Sequence, residues 1–230
     1  MNTFLENSLF FGAIISLLGY ELGLILKKKF KMAILNPLLI GVIAVIAVLV
    51  LFDIDYDTYN KGGQYISYLL TPATVCLAVP LYEQLTLLKN NWKAVLAGIL
   101  SGSLTSLVGV FVLAKLFHFS HEQYVTMLPK SITTAIGMGV SEELGGIVTI
   151  TVAVIIITGI LGNVTADFIF RIFHIKDPIA KGLALGTSAH AIGTAKAMEI
   201  GPVEGAMSSL SIAVAGLFTV IGASIFADFM

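Results

Sequence analysis

Leu128-Pro-Lys-Ser-Ile-Thr-Thr-Ala-Ile-Gly137 decides the fold, because it stops a helix inside an apolar region. Pro129 cannot continue a helix, whereas Ser131, Thr133 and Thr134 favour the cap of a new one whose first N–H groups lack intrahelical partners. Two further interruptions of this kind occur, at Leu70-Thr-Pro-Ala-Thr74 and Leu185-Gly-Thr-Ser-Ala-His-Ala-Ile-Gly193, and the last two of the three share Ala-Ile-Gly at 135–137 and 191–193. In a bilayer such breaks are tolerated only where they face protein or water, and paired breaks in related segments point to a transporter's binding site.

Working outward, hydrophobic residues fill 57% of 230 positions and charged residues 12%, and the mean hydropathy is +0.96. This is the composition of an integral membrane protein. Uncharged runs at Met32–Phe52, Ala94–Ala114, Ile147–Ala166 and Gly205–Ala227 each reach the ~20 residues that cross a bilayer core, and Ser8–Leu26 is a fifth run interrupted by Glu21. The expected fold is all-α: a polytopic membrane protein of about seven to eight membrane segments with broken or re-entrant helices and inverted internal repeats. No linker or low-complexity tract divides 1–230, so one domain is expected. Met1-Asn-Thr-Phe-Leu-Glu6 lacks the basic region and cleavage site of a secretory signal and reads as the start of the first span.

Loops are expected at 27–31, 53–61, 88–93, 117–122 and 171–181. Basic residues gather at Lys27–Lys31, at Lys89 and Lys93, and at Arg171, Lys176 and Lys181, marking the cytoplasmic side, with Asp53, Asp55 and Asp57 opposite. A simple crossing by 121–144 would carry Arg171, Lys176 and Lys181 outside. A re-entrant hairpin broken at Pro129 or within Gly137-Met-Gly139 restores the side and inverts everything downstream. Small residues four apart at Gly98/Gly102, Gly182/Gly186 and Gly201/Gly205 let helices approach closely.

Several function classes drop out. A net charge of −1 with no basic arm gives no reason to expect nucleic acid. The single cysteine, Cys76, forms neither an intrachain disulfide nor a thiolate cluster and is expected to be buried. HExxH, GxSxG and GxxxxGK[ST] are absent, and Gly137-Met-Gly139 lacks the third glycine of a dinucleotide fingerprint. No enzyme, metal site or cofactor is expected.

The breaks nominate the site. A helix beginning near Ser131 would direct its free N–H groups and the hydroxyls of Ser131, Thr133 and Thr134 at an anion, with Lys130 adding a full charge. The third break repeats this with Gly186-Thr-Ser188 as cap, His190 just inside the new helix and Thr194 on the same face. The alternative for His190 is a structural role, bonded to a neighbouring helix carbonyl, but its place at the break favours the ligand. Thr71 and Thr74 belong to the first break. Lys196 is three residues from Glu199 and is expected to pair with it, while Glu143 and Glu199 are candidates for carrying a coupling proton.

Asn36-Pro37-Leu-Leu-Ile40, Lys61-Gly-Gly63, Thr74-Val-Cys-Leu-Ala-Val-Pro-Leu-Tyr82, the 128–137 stretch, Val140-Ser-Glu-Glu-Leu-Gly-Gly146 and the long run Ala180–Glu199 resemble the LrgB/CidB family of bacterial membrane proteins, with Ser-Ile-Thr-Thr and Glu-Leu-Gly-Gly closer to its CidB-like branch. The resemblance implies a multi-pass protein of the bacterial plasma membrane and two kinds of function. One is holin/antiholin-like, modulating murein hydrolase export and lysis with a small LrgA/CidA-type membrane partner. The other is transport: relatives including the plastid glycolate/glycerate translocator move small carboxylates, and bacterial relatives are linked to pyruvate. The breaks favour a carrier of small monocarboxylates in the lipid bilayer, as a homo-oligomer, with a substrate site drawn from Asn36, Thr71, Thr74, Lys130, Ser131, Thr133, Thr134, Gly137, Ser188, His190, Gly193, Thr194 and Lys196.

Overall fold

The computed structural model describes residues 8, 10–30, 35–76 and 78–230, without the side chains of 70, 71, 74, 80 and 81. They form two compact units, residues up to 76 and residues from 77 on.

In the first unit α1 (Phe11–Phe30) packs against α2 (Pro37–Leu51) and α3 (Tyr56–Ser67). The first two lie almost backbone to backbone, since a Cβ on Gly19 would sit 3.1 Å from the Gly41 carbonyl oxygen. The expected span Met32–Phe52 begins as a helix only at Pro37, and residues 31–34 lie outside the described residues. Pro37 suits a first helical position, and Asn36 caps it by accepting from the N–H groups of Leu38 (2.8 Å) and Leu39 (3.3 Å). Asp55 likewise caps α3, so helix begins within the expected 53–61 loop. The N–H and hydroxyl of Thr58 hold the Asp55 carboxyl below the usual carboxylate range. The first expected break, 70–74, is instead helical: the interruption falls at Tyr68 and Leu69, and the short helix α4 (Leu70–Cys76) runs through Pro72, which sits in its first turn where a missing N–H costs no intrahelical bond. The side chains of Thr71 and Thr74 are outside the described set, and Cys76 is exposed rather than buried.

The second unit opens with α5 (Ala78–Glu83) and then α6 (Leu85–Leu116). Residues 88–93, expected as a loop, lie within α6. No proline or glycine interrupts 85–97, and long side chains such as Lys89 and Lys93 can extend to water from a helix end. α6, α9 (Val148–Ile172) and α11 (Pro202–Ala227) are, among the described residues, the three helices long and apolar enough to cross a bilayer; α2 is apolar but shorter. Between them the chain twice doubles back.

The first doubling is α7 (His121–Met127) and α8 (Thr134–Glu143), joined through 128–133. Their arms run antiparallel: the Thr151 hydroxyl reaches both Ser141 Oγ (2.7 Å) and the Thr126 carbonyl (2.9 Å), and a Cβ on Gly137 would lie 3.5 Å from the Pro129 carbonyl. The new helix starts at Thr134, not near Ser131, and Gly137-Met-Gly139 lies inside it. The second doubling is α10 (Pro178–Ile200), whose continuity is broken at His190 by φ 41° and ψ −132°. Gly193 consequently packs on the carbonyl of Leu185, eight residues earlier and about 12 Å away in a straight helix. The break therefore falls at His190 and not at Gly186-Thr-Ser188. The reason is local: Thr187 and Ser188 donate their hydroxyls back to Leu183 (2.7 Å) and Ala184 (2.6 Å), which keeps both inside the outgoing arm.

The two hairpins approach from opposite ends of the long helices. Along α6, Gly98 and Gly102 lie against Leu183 and Thr187 of the second hairpin, and Ser106 bonds Ser131 of the first. Along α9, Gly137 of the first hairpin and His190 of the second both reach Ile155. Along α11, Ser208 meets Gly186, Gly216 meets Ile136, and the Phe226 carbonyl accepts from the Tyr124 hydroxyl at 2.9 Å. Both tips thus come to the middle of the unit.

Candidate functional site

At the first tip the 128–133 stretch leaves the helical path, so its side chains turn inward: Leu128, Pro129, Ser131 and Ile132 are buried and Lys130 is half-buried. The Lys130 ammonium donates to Ser131 Oγ at 3.0 Å, and Ser106 Oγ donates to the same oxygen at 3.0 Å. A hydroxyl carries one donor and two lone pairs. With both lone pairs occupied, Ser131 retains its own proton to give to an acceptor. Among the described residues no carboxylate forms an ion pair with Lys130. Just beyond, Thr133 is the N-cap residue of α8 but its hydroxyl makes no capping bond, so it and Thr134, both half-buried, leave the helix's positive end open. Together these groups can hold an anion.

At the second tip His190 is 3% exposed. Its Nε2–H donates to the Ile155 carbonyl at 3.0 Å, the structural role that its sequence position allows, and Nδ1 remains for a ligand. The Thr194 hydroxyl donates to the His190 carbonyl (3.0 Å) and is bonded to Ser208 (2.7 Å), tying the returning arm to α11. Asn163 Nδ2 adds a bond to the Ile192 carbonyl at 3.0 Å. Ser188 is exposed, and Gly193 is buried against the outgoing arm. Lys196 pairs with Asp167 of α9 at 2.7 Å, rather than with Glu199 as the three-residue spacing suggests, because the returning arm runs alongside α9.

Of the nominated residues, the structure gathers Lys130, Ser131, Thr133, Thr134 and Gly137 at one tip and Ser188, His190, Gly193 and Thr194 at the other, with Lys196 further down the second hairpin. Asn36 is a helix cap in the first unit. Glu143 and Glu199 are exposed, whereas Glu204, which the sequence reading passed over, is buried at the start of α11.

Two serines of α6 were also missed, because they stand in an unbroken apolar run with no cap or turn signal. Ser106 anchors Ser131. Ser103, one turn away, is 4% exposed and its hydroxyl has no partner among the described residues. An unsatisfied buried hydroxyl costs ~1–3 kcal/mol. Ser103→Ala is therefore expected to leave the unliganded protein as stable as wild type or more so, read as an unchanged or raised melting temperature in detergent.

A helical membrane protein with two opposed hairpins, one tip carrying an ammonium that has no carboxylate partner among the described residues, is the class these features define. The chain belongs to the LrgB-like family, whose model matches residues 16–229. It is 38% identical over 222 residues, 96% of this chain and of the relative, to the Antiholin-like protein LrgB of Bacillus cereus (strain B4264), with the same figures for that of Bacillus anthracis (strain A0248). No solved structure matches it.

Proposed function

We propose that this chain is a carrier or facilitator of small monocarboxylates, of the pyruvate and glycolate class, acting in the bacterial plasma membrane. The observation that carries this reading is the Lys130–Ser131–Ser106 cluster: an ammonium with no acidic partner among the described residues and a hydroxyl with its proton to spare, at the tip of a hairpin inside a helical bundle. The sequence of spanning helix, hairpin, spanning helix, hairpin is also the arrangement an inverted repeat would produce, and alternating access would need one. Glu143, Glu199 and Glu204 are the acids in this unit from which a coupling proton could be drawn. A homo-oligomer, with or without an LrgA/CidA-type partner, fits this reading.

The test is uptake of radiolabelled pyruvate and glycolate into proteoliposomes, with and without a proton gradient. Ser131→Ala removes a hydrogen bond to a charged group, worth ~1.5–3 kcal/mol, so a roughly ten- to hundredfold fall in uptake efficiency is expected at normal membrane insertion. His190→Ala should also reduce uptake. Wild-type rates in both variants would remove the proposed site.

A second reading, an antiholin-like pore component that modulates murein hydrolase export and lysis, is favoured by the names of the Bacillus relatives. Cargo size separates the two: a carrier saturates with a three-carbon acid and excludes dyes, while a pore leaks both.

A further inference from the structure

At the base of the second hairpin lies an open cleft of about 470 Å³, well away from the tips. The last two turns of α9 lend it Asp167, Phe170 and Arg171, the following connection Lys176, and the two ends of α10 Lys181 and Ile200. Three cations therefore face one carboxylate. That carboxylate is already bonded to Lys196 at 2.7 Å, so an incoming anion meets a net positive rim.

Position narrows the ligand. α9 has 25 residues, about 37 Å of helix against a hydrocarbon core of about 30 Å, which places its final turn at the level of lipid headgroups. Chemistry narrows it further. Phe170 and Ile200 give the cleft an apolar wall, which a free three-carbon acid has no use for, and the volume far exceeds what such an acid fills. A phosphodiester headgroup with the first part of its glycerol and acyl chains satisfies both the cationic rim and the apolar wall. We propose that this cleft binds an anionic phospholipid. Because the lipid touches α9 and both ends of α10 together, it clamps the base of the hairpin against the spanning helix. The proposal does not depend on the carrier reading.

The test uses the full-length protein in zwitterionic detergent, titrated with phosphatidylglycerol or phosphatidylcholine while its melting temperature is followed, with native mass spectrometry counting retained lipid. Phosphatidylglycerol is expected to raise the melting temperature by several degrees and to survive as a bound adduct, whereas phosphatidylcholine does neither. The double variant Arg171→Gln/Lys181→Gln should melt like wild type without lipid and lose the phosphatidylglycerol shift. Equal shifts with the two lipids, or a full shift in the double variant, would overturn the proposal. So would an equal shift from millimolar inorganic phosphate alone, which would assign the cleft to a soluble anion.

Discussion

In a Cys76→Ser background, single cysteines at Phe119 and Gly145 label from one face of the membrane, and cysteines at His174 and Gly201 label from the other. This follows from the hairpins. Phe119 and Gly145 flank α7 and α8, and His174 and Gly201 flank α10, so each pair brackets a segment that returns to its starting side. If either segment crossed fully, one pair would split between the faces. The effect is all or none per site, and it needs only a membrane-impermeant thiol reagent on intact cells and on inverted vesicles. Splitting of the 119/145 pair would dismiss the first hairpin as a re-entrant element; splitting of the 174/201 pair would dismiss the second.

Gly186→Leu is expected to be strongly destabilising in the second unit. A Cβ there would stand 2.5 Å from the Ser208 carbonyl oxygen, 2.5 Å from Ser211 Cβ and 3.0 Å from Ser208 Cα. Two of those atoms are backbone, so no rotamer change relieves the clash and α10 must part from α11. Overpacking a tight core costs typically ~1–3 kcal/mol, and this case belongs at or above the upper end because the bond between Thr194 and Ser208 is stretched as the helices separate. Gly109 provides the contrast, with nothing within 4 Å of its would-be Cβ, so Gly109→Ala should be neutral or gain ~0.5–1 kcal/mol from reduced chain entropy. Thermal unfolding monitored by size-exclusion recovery reads both. A Gly186→Leu protein that melts like wild type would mean the two helices are not in this contact.

Much of the second unit was legible because prolines, hydroxyls and apolar run lengths are local signals. Pro129 marked the first tip to within a few residues. The shift of the helix start from Ser131 to Thr134 was not legible: Ser131 is bonded to Ser106, twenty-five residues earlier, a tertiary contact that no local pattern encodes. At the second tip the sequence offered Gly186-Thr-Ser188 as a cap, but hydroxyls that bond back to the preceding turn look the same as capping hydroxyls until the structure is known. The turn was made instead by a histidine at positive φ, which few non-glycine residues adopt and which no local pattern announced. Lys196 followed the same rule: its sequence neighbour was Glu199, but the folded-back arm gave it Asp167.

Each long helix of the second unit touches both hairpins, and on α6 the two points of contact, Gly102 and Ser106, are one turn apart, about 6 Å along the axis. Both tips thus rest on neighbouring turns of one helix, which makes that stretch of α6 the common floor of the two hairpins.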